Sequence, residues 1–258
     1  MHRVVISKQC CIIFDELQCV RKDRQGSFGL LCCGKHMKMI ELSKRHIIFV
    51  DEDIFEGQYD LNIHLINAEN NLYLVDTGCG SLQMKVVEEY IREHYLQKPL
   101  IIINTHSHGD HYRGNDHLDS KYIVSHNKAV SAMKNHWETD SKVAPPEHGN
   151  NQLKLPNLTF DSELHFMEDG ISLIYIPGHS EDDICVYDEI EKVINMGDMV
   201  GDTHDEIVPY LNLDKDTFIN SIQKVKDLDI EYVICGHNTI QKKDVFERML
   251  QEVKQNKK

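Results

Sequence analysis

The sequence predicts an α/β fold in which helices cover a layered sheet core, and three observations lead there. Leu82, Val86, Val87, Tyr90, Ile91 and Tyr95 recur at helical spacing. Leu100–Ile103 is a short, wholly apolar run, the pattern of a strand covered on both faces. Strand-type and helix-type segments then alternate to the end of the chain, which favours sheets with helices packed on them over separate all-α or all-β units.

Taken in order, L-N-I-H-L-I at 61–66 and L-Y-L-V at 72–75 read as a hairpin turning at Glu69-Asn70-Asn71. A helix is predicted at 81–95, a buried strand at 100–103 and a second helix at 127–136. The polar stretch from Thr139 to Pro156 has no period, as expected of a functional loop or lid. Strands follow at 164–167, 171–176, 183–187 and 192–196. Helix 215–228 carries Phe218, Ile219, Ile222, Val225 and Leu228. A strand at 230–235 precedes a last helix at 241–254, which buries Val245, Phe246, Met249, Leu250 and Val253. No internal repeat of 20–50 residues is present.

Composition narrows the function. The 258 residues are 41% hydrophobic and 27% charged, close to globular averages. The formal charge of −14 opposes a phosphate backbone, so nucleic acid is not an expected partner. No run of 18 apolar residues exists, so no membrane span is expected. Among the eight cysteines no CxxC pair occurs, and no secretory signal opens the chain, so Cys79, Cys185 and Cys235 are expected as reduced thiols in a cytoplasmic protein. Residues 1–36 carry a balance of +3 and five of those cysteines, whereas 37–258 carry −17. That shift predicts an extension over 1–36 lying outside a single domain at 37–258. Oligomeric state leaves no readable mark.

The 16 histidines concentrate the chemistry. T-H-S-H-G-D-H at 105–111 follows the apolar strand and offers His106, His108, Asp110 and His111. Two imidazoles at i and i+2 in an extended turn can chelate one cation, while Asp110 and His111 turn toward a second. Gly109 permits the tight backbone. Pro177-Gly178-His179, Gly197-Asp198 and Gly236-His237 each stand at the end of another predicted strand, where loops converge. Five His and two Asp make a donor set for two divalent cations, suited to zinc, iron or manganese. His64 reads as an ordinary strand-face residue, and His94 and His165 as structural. One of His126, His136 and His148 is a candidate substrate contact, and Trp137, Tyr112 and Tyr210 are placed either as pocket walls or in ordinary core or surface packing. Cys79 lies three residues past Asp76 with nothing near it in sequence to lower its pKa, so no nucleophilic role is expected.

Together, Asp76-Thr77-Gly78, the 105–111 motif, P-G-H-S at 177–180, G-D at 197–198 and G-H at 236–237 resemble the metallo-β-lactamase-fold hydrolases, in that family's order and over about residues 45–240. The resemblance implies a four-layer αβ/βα sandwich with its site at one edge of two facing sheets. It implies that His106, His108 and His179 bind a first metal, that Asp110, His111 and His237 bind a second, that Asp198 bridges them, and that Asp76 orients ligands without coordinating. It also implies a dinuclear hydrolase, zinc-dependent, in which a metal-bound hydroxide attacks a small-molecule substrate and Asp110 guides the proton to the leaving group. The motif set closely resembles that of the glyoxalase II enzymes. Only 21 residues follow His237, however, so their long glutathione-holding helical region is not expected. Asp198 stands where the zinc β-lactamases usually carry Cys or Ser. A thioester, lactone or related ester is therefore the expected substrate. A mononuclear iron persulfide dioxygenase, a phosphodiesterase of the same fold and a non-catalytic binding module are the alternatives.

Overall fold

The computed structural model describes residues 17–20, 28–32, 35–54, 59–95, 97–143, 149, 151–201, 203 and 206–255. Two sheets face each other. The first runs in chain order: β1 (Leu17–Val20), β2 (Phe28–Cys32), β3 (Lys35–Glu41), β4 (His46–Ile54), β5 (Tyr59–Asn67), β6 (Leu72–Val75), β7 (Leu100–Ile103), β8 (Tyr122–His126) and β9 (Leu158–Phe160). It is antiparallel to β6 and parallel from there to β9. The second holds β10 (Glu163–Phe166), β11 (Ile171–Tyr175), β12 (Ile184–Asp188), β13 (Val193–Asn195) and β14 (Tyr232–Ile234), with only the last pair parallel.

Strand alternation builds the layers. Leu72, Leu74, Leu100 and Ile102 pack outward against Met84, Val86, Val87 and Tyr90 of helix α1 (Ser81–His94). Their neighbours Tyr73, Val75, Ile101 and Ile103 point the other way and meet Ile171, Leu173, Ile184 and Val186 of the second sheet. Cys185, Tyr187 and Ile194 then face Phe218, Ile222 and Val225 of helix α4 (Lys215–Lys226) and Val245, Phe246, Met249 and Leu250 of helix α5 (Val245–Gln255). Each period-2 strand thus serves two cores, giving the helix–sheet–sheet–helix sandwich. Between α1 and α4 lie the short helix α2 (Gly109–Tyr112) and α3 (Asn127–Val143).

Several expectations differ from what is observed. Helix α3 continues seven residues past the expected end at 136, so the first part of the 139–156 stretch is helical. Gln241 pairs with Val233 in a β-bridge, delaying the last helix to Val245. Within 1–36, β1 and β2 pair into the first sheet, and the register crosses the expected boundary, with Leu30 opposite Met37 and Phe28 opposite Met39. The chain therefore enters the fold before residue 37. A change in charge and cysteine content marks composition, and it does not stop a backbone ladder from continuing. Apart from β1, β2 and the first two residues of β3, positions 1–36 lie outside the described residues. Cys79, Cys185 and Cys235 are free and buried. Among the described residues no helix is long and apolar enough to cross a membrane.

Candidate metal centre

The 105–111 motif follows β7, and its last residues open α2. His179 follows the end of β11, Asp198 lies in a one-turn 3₁₀ helix after β13, and His237 follows β14. Parallel and antiparallel strands of both sheets thus end at one edge, which is why residues up to 131 positions apart in sequence meet there. The convergence centres on one atom. Asp198 Oδ2 lies 3.2 Å from His111 Nε2, 3.3 Å from His237 Nε2, 3.6 Å from His106 Nε2 and 3.7 Å from His179 Nε2. His108 Nδ1 stands 2.9 Å from His106 Nε2 and 3.1 Å from His179 Nε2. Asp110 Oδ2 is 3.2 Å from His237 Nε2 and 3.6 Å from His111 Nε2. Two donor groups result: His106, His108, His179 and Asp198; and Asp110, His111 and His237. Within each, the donor atoms lie within 4.8 Å of one another.

The opposite ring nitrogens fix which lone pair faces the centre. His111 Nδ1 donates to Asp76 Oδ2 (2.8 Å), His179 Nδ1 to the Tyr210 carbonyl (2.9 Å) and His237 Nδ1 to the Asp60 carbonyl (2.7 Å). Each therefore turns its Nε2 inward, the arrangement that orients metal-binding imidazoles. His111 Nε2 and Asp198 Oδ1 are buried without a hydrogen-bond partner. Donors bound at about 2.0–2.1 Å in a tetrahedron are spaced about 3.3 Å apart, which matches these separations. The donor set fits divalent cations.

Burial would raise both central carboxyls, but His111 and His237 outweigh it and hold Asp110 and Asp198 below the usual carboxylate range, while the same carboxylates hold His111 and His237 well above the ordinary imidazole range. Burial pushes His106 and His108 down, keeping them neutral. Cys79 is buried, and burial pushes its thiol far up, so it offers no thiolate. Cys79→Ala is expected to leave metal uptake and turnover unchanged; a large loss of turnover would reinstate it as a nucleophile.

Asp76 sits behind this set at a left-handed φ of 64°. Its Oδ1 accepts the Thr105 N–H, and its Oδ2 accepts both Thr105 Oγ1 and His111 Nδ1, each at 2.8 Å. It touches the motif strand and one donor together. Asp76→Asn keeps the shape and tolerates the backbone conformation but weakens the acceptor at Oδ2. Metal affinity should fall about 10–100-fold, read by chelator competition.

Other sequence candidates fall elsewhere. Tyr112 is 1% exposed and packs with partly buried Trp137 beneath α3. His126 is buried, stacked on Tyr175, and pairs with the Asp161 carbonyl. His136 is exposed on α3, and His148 lies outside the described residues. Tyr210 lies beside the donor cluster: its carbonyl accepts from His179 Nδ1, and the residue is 74% exposed. The Asp60 and Tyr210 carbonyls were not foreseeable, because a backbone acceptor carries no residue signature.

Comparison with known proteins follows the same lines. The metallo-beta-lactamase superfamily description matches residues 57–237. The acyl-coenzyme A thioesterase MBLAC2 of Gallus gallus is 24% identical over 218 residues, 74% of this chain and 77% of that protein. A hydroxyacylglutathione hydrolase of Francisella philomiragia is 26% identical over 169 residues, 64% of this chain and 58% of the relative. A metallo-beta-lactamase from Pontibacter korlensis superposes with a TM-score of 0.67 at 16% identity, covering 86% of this chain and all of that one, a likeness of fold. The motifs, the two-sheet sandwich, the clustered donors and the matched span lead to one conclusion: this chain belongs to the metallo-beta-lactamase superfamily.

Proposed function

We propose that this protein is a dinuclear metal-dependent hydrolase, zinc-loaded, that cleaves a small-molecule thioester. The observation carrying this reading is the single oxygen Asp198 Oδ2 set within 3.7 Å of imidazoles from both donor groups. His106, His108 and His179 would hold one cation, Asp110, His111 and His237 the other, with Asp198 shared. Bound divalent cations supply Lewis-acid polarisation of the carbonyl and a water nucleophile at neutral pH.

The chain's own residues do the rest. Asp76, Tyr210 and Asp60 hold three imidazoles in orientation through the hydrogen bonds above. Asp110, whose side chain is 17% exposed against 4% for Asp198, is the carboxylate open to substrate. Its carboxylate would take the nucleophile's proton and pass it to the leaving thiolate. The exposed Tyr210 ring beside His179 offers a face for an apolar portion of the substrate.

Preference for a thioester rests on the relatives, a coenzyme A thioesterase and a hydroxyacylglutathione hydrolase by name. The test is a substrate panel of acyl thioesters, lactones, phosphodiesters and β-lactams on the purified full chain, before and after chelation and zinc return. Thioester turnover that chelation abolishes and zinc restores is expected. Faster cleavage of phosphodiesters or β-lactams, or turnover indifferent to chelation, would contradict the reading.

A further inference from the structure

A buried polar chain runs between the two sheets and ends under the aspartate that the function above makes the metal bridge. It starts at Asp188, the last residue of β12, whose carboxylate pairs with Arg45 and stands 3.0 Å from His46 Nε2. His46 Nδ1 is 2.9 Å from His64 Nε2, across neighbouring strands β4 and β5. His64 Nδ1 is 3.4 Å from Asn195 Nδ2, and Asn195 Oδ1 accepts the Gly197 N–H at 2.9 Å. Asp188, His46, His64 and Asn195 are each at most 2% exposed.

The links have one consistent direction. A backbone N–H can only donate, so Asn195 must present its oxygen to Gly197 and its amide N–H to His64. His64 then accepts at Nδ1 and carries its proton on Nε2, where it donates to His46 Nδ1. His46 in turn carries its proton on Nε2, which lies at ion-pair distance from Asp188 without making a hydrogen bond to it. Burial and the facing His46 keep His64 well below its ordinary range, which agrees with a neutral ring. Arg45 and Glu191 are the other charged groups facing His46 and Asp188. Apolar side chains would fill these interior positions at lower cost than a file of polar ones, so the polar file calls for an explanation.

Its far end supplies one. Gly197 adopts a left-handed φ of 52°, and a Cβ there would approach Thr105 to 2.9 Å. Its carbonyl accepts the Gly236 N–H at 2.8 Å, and its N–H is held by Asn195. The peptide that launches Asp198 is thus clamped on one side by the β14 turn and on the other by the polar chain. We propose that His64, backed by His46 and Asp188, is a positioning residue for Asp198: it holds Asn195, which fixes the Gly197 turn and so the place of the bridging carboxylate.

This inference rests on the metal reading, and zinc affinity measured by chelator competition on the full chain separates the two. His64→Leu, Asn195→Ala and the double variant are compared with the parent, with circular dichroism and the metal-free unfolding midpoint recorded for each. Each single change should lower zinc affinity about 10–100-fold, as loss of a group orienting a ligand does. The double variant should bind no worse than the weaker single, because both break one chain. His64→Gln, whose amide offers one donor and one acceptor, should recover most of the affinity. Folded variants that bind zinc like the parent would overturn the proposal, even with lowered midpoints, and so would additive losses. Should His64→Leu fail to fold, Asn195→Ala and His64→Gln carry the same comparison. A parent that takes up no zinc would sink both readings; a parent that does, with unaltered variants, would sink this one alone.

Discussion

Replacing His108 with alanine should lower turnover by about three orders of magnitude and empty the donor group it shares with His106 and His179. Its Nδ1 is 2.9 Å from one of those nitrogens and 3.1 Å from the other, so its removal opens one side of the first site. Loss of Lewis-acid stabilisation worth several kcal/mol corresponds to rate losses of about a thousandfold. The fold should survive. His108 is only partly buried, in a surface turn, and its contacts are with other donors. Metal content by elemental analysis and turnover on the best thioester check this together. A fully active, fully loaded His108→Ala protein would defeat the assignment.

A second large effect is expected where no donor is changed. Gly236→Ala should displace Asp198 and cost metal binding and turnover at least about a hundredfold, the scale reached when supporting groups around a site are misplaced by about 1 Å. A Cβ built on Gly236 overlaps Asp198 Oδ1 and comes to 3.1 Å from His111 Cε1. The backbone cannot retreat freely, because Gly236 N–H donates to the Gly197 carbonyl and its own carbonyl accepts the Asn62 N–H, both at 2.8 Å. The carboxylate must therefore move, and with it the atom common to both donor groups. A crystal structure of the variant, or its zinc affinity against the parent's, reads this directly. Parent-like affinity would show that the carboxylate has more room than the packing implies.

The clustering of the candidate site was largely legible because its residues are local in sequence. Four donors sit within Thr105–His111, and the other three each follow a strand and a glycine, so residue type and placement point the same way. The α/β layering was legible from period: Leu100–Ile103 reads as apolar throughout because alternate residues face two different cores. What escaped depends on long-range pairing. His64, read as an ordinary face residue, is buried because His46 and Asn195 receive it, and those partners lie 18 and 131 residues away. The strands β3, β4, β8 and β9 are short or interrupted by polar residues such as Lys38, His46, Asp51 and Ser125, which blur alternation. Gly236 announced a turn. That it also leaves room for Asp198 needed the second sheet in place.

The proposed chemistry needs seven side chains to hold a pair of cations. The direct measurement is the metal-to-protein ratio of the full chain after equilibration with zinc and removal of excess, counting zinc, iron and manganese together. Two ions per chain, reduced in His108→Ala, is the expected result. A ratio of one or less in the parent chain, unchanged by that substitution, would contradict it.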